Sequence, residues 1–213
     1  ETKQIYLTRH FLNSLFFFLA SIYFFLTLNK FYSKSISLIG FLIFISHPRI
    51  FAHSFYNSKD LIFLCFLCIS NYYLISFLIK KNFLNLFLFS FFLSMTIGTR
   101  VMGLIIPFLF IFFFSMENFN KKKINDSLTI LIFLTFTITL TIIFWPFLWD
   151  NPFNILDSFS SMSKYDWKGS VYFNGNYYSG KYLPWYYLPM TILITTPILY
   201  IVLFIFGFFY ITK

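Results

Sequence analysis

The stretch "HPRIFAHSFYNSKD", residues 47–60, crowds imidazoles, cations and a carboxylate into one short segment between apolar runs. Arg49 and Lys59 carry fixed positive charge, and two such charges at a membrane surface can grip an anionic group such as a lipid phosphate. A plainer reading has both side chains snorkelling to the headgroups. Asn57 reads as a cap for a helix beginning at Ser58, with Asp60 in its first turn, where the helix dipole favours an acid. The same helix start turns free N–H groups toward a phosphate. His53 is a candidate donor or proton carrier near neutral pH, set against a merely packed imidazole. His47 and His10 have weaker claims.

Three further groups invite chemistry. Arg100 stands between "MTIG" and "VMGLII". Deep in a bilayer it would need a partner and a polar cavity; at the outer interface, where the topology below puts it, that cost largely disappears. Asp150, Asp157 and Asp166 are possible bases or ligands, with solvated loop acids as the default for each. Cys65 and Cys68 form C-x-x-C, a spacing used in redox and metal sites. They lie within an apolar run with no second Cys or His pair nearby, which reads as helix packing. Nucleotide-binding glycine patterns, HExxH and G-x-S-x-G are absent, which disfavours a donor needing a soluble nucleotide-sugar domain.

The elements that position these groups follow from composition. Of 213 residues, 59% are hydrophobic and only 11% charged, against about a quarter charged in soluble domains. Several runs approach the roughly 20 apolar residues that cross a bilayer as a helix. Helix is required there, because a backbone facing lipid must satisfy its own hydrogen bonds. The runs predict seven spans, at about 11–29, 35–47, 61–79, 83–99, 101–116, 127–149 and 187–210. The expected fold class is therefore all-α, a polytopic helix bundle forming a single membrane domain over 1–213, with 150–186 as an outer loop or cap.

The net charge of +9 does not point to nucleic acid, because the cations sit in short connectors and form no continuous basic face. Lys30 and Lys34, Lys80 and Lys81, residues 121–123 and Lys213 fall on one side if seven crossings hold. Short Lys-rich connectors favour the cytoplasm. Residues 48–60 and 150–186 then face outward. In and around the latter, Trp149, Trp185, Tyr186 and Tyr187 suit the headgroup layer, and Pro146, Pro184, Pro189 and Pro197 end or kink helices. Gly169, Gly175 and Gly180 read as turn residues.

The order of "HPRIFAHSFYNSKD", "GTRVMGLIIP", "FWPFLWDNPFNILDSF" and "YLPWYYLPMTILITTPILYIVLFIFG" resembles bacterial membrane glycosyltransferases that use polyprenyl-phosphate donors. These are family 39 enzymes, related to protein O-mannosyltransferases and lipid A aminoarabinose transferases. The resemblance implies a GT-C-type fold in the bacterial inner membrane, with its active site on the periplasmic or extracellular face. It implies transfer of a sugar from a polyprenyl-phosphate carrier to a lipid, protein or glycan acceptor. Surrounding membrane lipids are the other partners. No cofactor is assigned, and a divalent cation is left open. The family's key acid lies in its first outer loop; this chain begins near that loop's end, at "ETKQIYLTRH", so the acid is expected upstream of Glu1. Arg49 and Lys59 are then the expected phosphate partners, with His53, Asn57, Asp60 and Arg100 around them, while Tyr182 and Trp185 shape an entrance for sugar or prenyl chain. A flippase for lipid-linked sugars and a non-catalytic membrane subunit are the rival readings. Flippases favour broken helices and midplane charge, whereas charge here gathers at the outer edge.

Overall fold

A computed structural model of the chain describes residues 2–118, 124–165 and 167–211. Among these it forms ten α-helices and one β-hairpin. The chain divides into two compact units, Glu1–Phe159 and Ser160–Lys213.

The first unit is built on α1 (Thr2–Leu28), α2 (Lys34–Ser46), α3 (Pro48–Tyr56), α4 (Asp60–Ile79), α5 (Phe83–Thr99), α6 (Ile105–Asn118) and α7 (Ile124–Phe144). Residues 47–57, read above as a connector, are mostly helix. Pro48 explains both the break and the restart. It forces the preceding residue toward extended backbone and disfavours helix continuation, yet suits the first turn of a new helix. His47 is accordingly extended, at φ −64° and ψ 114°, and α3 departs from α2 by 59°. A second proline break, at Pro197, separates α9 (Tyr187–Thr195) from α10 (Ile198–Ile211) by 108°. The single span read at 187–210 is thus two helices.

Against the seven spans read from the sequence, three helices among the described residues are long and apolar enough to cross a membrane, within α1, α4 and α7. Counting each bent pair as one span raises the number to five. The distribution of side chains is consistent with a membrane protein: Phe108, Phe112 and Leu131 are exposed, while Ala20, Ser21, Cys65, Ser70, Ser90 and Ser94 are buried. Small residues between helices let backbones approach where lipid, as apolar as leucine, supplies no hydrophobic drive. Most buried hydroxyls bond back to the preceding turn, as Ser21 does to the Phe17 carbonyl (2.7 Å) and Ser90 to that of Leu86 (3.0 Å). Such bonds satisfy a polar group without a partner helix. Cys65 and Cys68 are free thiols packed with Phe17, Ala20 and Leu61. Deeper in the unit, Phe89, Phe110, Phe114 and Phe133 join α5, α6 and α7, with Phe89 and Phe133 stacked at 5.1 Å.

Helix direction follows from the side chains that meet at the two ends. Arg9 reaches Ser58 near the starts of α1 and α4, and Lys30 bonds Ser76 near their far ends. These two helices therefore run in the same sense. Asp60, opening α4, meets Arg100, which closes α5. A Cβ at Gly98 would lie 3.9 Å from the Trp145 side chain just after α7. One end of the unit thus carries Lys30, Lys34, Lys80 and Lys81, and the other gathers Arg9, Ser58, Asp60 and Arg100. Residues 121–123 and Lys213 lie outside the described residues.

In the second unit, the segment read as loop contains an antiparallel hairpin, β1 (Ser170–Phe173) with β2 (Asn176–Ser179). Its turn is Asn174–Gly175, at φ 50° and 82°. Positive φ at both central positions matches the right-handed twist of the strands, and Asn-Gly tolerates it best. Helix α8 (Asn154–Ser163) precedes the hairpin.

Candidate functional site

The site grows from the proline break. Once α3 starts at Pro48, Arg49 and His53 lie four residues apart on one helix face. His47 caps that start, its Nδ1 accepting from the Ile50 N–H at 3.5 Å. At the other end of α3 the Asn57 N–H bonds the His53 carbonyl (3.0 Å). Its side chain then ties α3 to α4. Oδ1 accepts from the N–H groups of Lys59 (3.3 Å) and Asp60 (3.0 Å). Asn57 therefore satisfies two backbone donors where α4 begins, but the helix opens at Asp60 with Lys59 in the N-cap position, not at Ser58 with Asn57 there.

Those two backbone donors also settle which way the Asn57 amide points, so Nδ2 is the donor to its remaining neighbours. It lies 3.0 Å from Asp60 Oδ2 and 2.7 Å from His53 Nδ1. Donation to Nδ1 makes that nitrogen an acceptor and leaves the ring proton of a neutral His53 on Nε2. One asparagine thus fixes an imidazole tautomer and one oxygen of a carboxylate.

The other carboxylate oxygen, Asp60 Oδ1, pairs with Arg100 Nη2. Arg100 is presented by the way α5 ends. Its own backbone is extended, its N–H closes the helix on Thr96 (3.0 Å), and its carbonyl accepts from Gly103 (2.9 Å) in a 3-10 turn. Gly103 lets that turn pack tightly against the backbone of α5. A Cβ there would lie 3.0 Å from the Ile97 nitrogen and 3.1 Å from its Cα. Arg100 Nε is buried with no hydrogen-bond partner among the described residues, so Asp60 is its principal electrostatic anchor.

Arg49, Ile50, His53, Asp60, Leu61 and Leu64 line a cleft of about 250 Å³. Its composition is graded. Arg49, His53 and Asp60 supply the polar rim, and Ile50, Leu61 and Leu64 an aliphatic wall. Leu64 lies one helical turn further along α4 than Asp60. A phosphate on a hydrocarbon tail has the same polarity gradient.

Of the residues expected from sequence, Arg49, His53 and Asp60 line this cleft, and Asn57 and Arg100 hold it. Lys59 is exposed and is not among the lining residues. Tyr182 and Trp185 belong to the second unit, are 78% and 87% exposed, and are not among the lining residues either. Asp150 and Asp157, in the first unit, do not line the cleft either; Glu1 and Asp166 lie outside the described residues. Sequence reasoning passed over Arg9, whose Nη2 donates to Ser58 Oγ at 3.3 Å and brings another cation to this end. It also missed the Asp60–Arg100 pair, which joins positions 40 apart that no periodicity relates. For the divalent cation left open above, no cluster of three His, Cys, Asp or Glu residues with metal-binding geometry occurs among the described residues.

No family model, curated protein or solved structure matches this chain.

Proposed function

We propose that this chain forms part of a GT-C-type membrane glycosyltransferase that takes a sugar from a polyprenyl-phosphate carrier on the outer face of the membrane. The carrying observation is the graded cleft, in which Arg49 and a tautomer-fixed His53 stand over Ile50, Leu61 and Leu64. In this reading the carrier phosphate sits against Arg49, and His53 donates to it through Nε2–H. The first prenyl units lie along the aliphatic wall. Asp60 and Arg100 hold each other so that the rim is set before the donor arrives, a preorganised arrangement of charge. Lys59 raises the local positive potential from outside the cleft.

The acceptor hydroxyl attacks the anomeric carbon, the bond from that carbon to the phosphate oxygen breaks, and polyprenyl phosphate departs with the electron pair. Arg49 offsets the charge that grows on the leaving phosphate. The hydroxyl proton passes to a carboxylate acting as general base; Asp60, already engaged on both oxygens, is assigned to holding Arg100 instead. The bent and short helices complete the crossings to the seven counted in sequence, with the Lys30 and Lys80 end toward the cytoplasm.

The test is reconstitution of the complete protein in liposomes with labelled polyprenyl-phosphate sugar and an acceptor extract. Release of polyprenyl phosphate, with label on the acceptor, supports the proposal. Movement of intact donor across the bilayer without cleavage would assign the chain to the flippases instead. If neither occurs, the non-catalytic subunit is the reading that stands.

A further inference from the structure

The second unit holds a feature that the cleft chemistry leaves unused. Gly169 and Gly180 sit just outside the last paired residues of the hairpin, Ser170 and Ser179, and the Gly180 N–H bonds the Gly169 carbonyl at 3.3 Å. The indole of Trp167 lies over this pair. A Cβ built on Gly169 would come within 2.2 Å of Trp167 Cζ2, and one on Gly180 within 2.7 Å of Cε3. Only glycine at both positions admits the ring. An aromatic side chain laid over cross-strand glycines replaces packing that the glycines lack, which accounts for one face of the indole.

It does not account for the rest. Trp167 remains 47% exposed, and with Ser163, Lys164, Tyr165, Gly180 and Lys181 it lines a cleft of about 250 Å³. That is smaller than the roughly 300–1,000 Å³ of sites for drug-sized ligands and suits a single small ring. An indole face carries negative quadrupolar potential, which attracts the polarised C–H groups of a pyranose. Around it stand a hydroxyl, a phenol and ammonium groups, short-range partners for the hydroxyls of that ring. The glycine pair holds the platform at fixed height, so little side-chain freedom is lost on binding.

We infer that Trp167, with Ser163, Lys164 and Tyr165, forms a carbohydrate-binding site that seats one pyranose ring. Its use as the acceptor seat rests on the transferase reading; the binding itself does not.

The experiment uses the full chain in a detergent without a sugar headgroup. Probes are methyl pyranosides of glucose, mannose, galactose and N-acetylglucosamine, read by saturation-transfer NMR and by quenching of tryptophan emission. At least one glycoside is expected to saturate with millimolar affinity. Trp167→Leu, which still covers the glycines, is expected to abolish both signals; Trp167→Phe should retain part of the NMR effect, and Lys164→Gln should weaken binding severalfold. If Trp167→Leu fails to fold, Trp167→Phe and Lys164→Gln carry the test. Failure of all four glycosides to bind the wild type overturns the inference, as does unchanged binding in the Trp167 variants. Sugar binding without any transfer in liposomes would leave this site standing and remove the transferase reading. Transfer without sugar binding here would do the reverse.

Discussion

The two ends of the helical unit both present cations, yet they treat them differently. At one end Lys30 donates to Ser76 and lies 4.1 Å over the Tyr72 ring, with Lys80 near enough to repel it. Among the described residues nothing there organises charge around a cleft, and a hydroxyl and a ring face are what an interfacial ammonium needs. At the other end Arg100 has an acid, the acid has an asparagine, and the asparagine holds an imidazole beside Arg49. A cation kept merely at an interface can be replaced by any polar residue. A cation built into a relay around a cleft cannot.

That contrast is most exposed to attack through Arg49. Arg49→Ala should lower sugar transfer on the order of a hundredfold, as loss of a preorganised charge donor does, while Lys34→Ala at the opposite end should change it less than about twofold, as surface substitutions away from a site do. Equal effects in the liposome assay would erase the distinction between the ends.

The Asp60–Arg100 pair comes next. Asp60→Ala should cut transfer about tenfold, one decade per roughly 1.4 kcal/mol, by letting Arg100 swing. It should cost only about 1 kcal/mol in detergent unfolding, because the Asp60 side chain is 51% exposed and water screens the pair. The double variant with Arg100→Ala should be less than additive in stability. Additive losses would mean that the two residues act separately.

Two asparagines at helix starts sharpen the comparison further. Asn57 accepts from the Asp60 N–H where α4 begins, at the cleft end (3.0 Å), and Asn82 caps α5 at the lysine end, accepting from the Leu84 N–H at 3.0 Å. Replacing either with Ala should cost about 1 kcal/mol of stability. Only Asn57→Ala should also lower transfer, since it alone releases His53 and Asp60. Matching losses of transfer would reduce both to helix-start contacts.

Lys30 gives the smallest effect. Burial, then Lys80, lowers its pKa below the ordinary lysine value of 10.5. The folded state therefore sheds this proton earlier than the unfolded chain, and stability rises with pH as Lys30 deprotonates below 10.5. Lys30→Met should lose that rise and otherwise lie within about 0.5 kcal/mol of wild type. A melt followed across the alkaline range checks it.

What was legible in the sequence divides along the same line. Helices α4 and α5 could be read almost to the residue, because long apolar runs bounded by Lys80, Lys81 and Arg100 leave little choice of structure. Helix α3 was hidden by its polarity. It is short and amphipathic, and its start signal, Pro48 after a capping His47, passes for a break. The break at Pro197 was visible as a kink signal, but apolarity on both sides argued for one continuous span. The hairpin had the strongest local cue in its class, Asn174–Gly175 between Tyr- and Phe-rich flanks, and was outweighed by the length of the polar segment around it. Arg49, His53 and Asp60 were legible as a set because they are close in sequence. Arg100 as the partner of Asp60 was not, since only the antiparallel return of α5 beside α4 brings them together. Trp167 on its glycines was likewise hidden: the hairpin must form before those two glycines face each other.

The central claim is that the cleft end and the lysine end face opposite sides of the membrane, cleft outward. Cys65 and Cys68 are buried, so a cysteine introduced at an exposed position should stand out against them. Ser58→Cys should react with an impermeant thiol reagent on intact cells, and Lys34→Cys only after the cells are opened. The reverse pattern, or labelling of both from one side, would contradict the account.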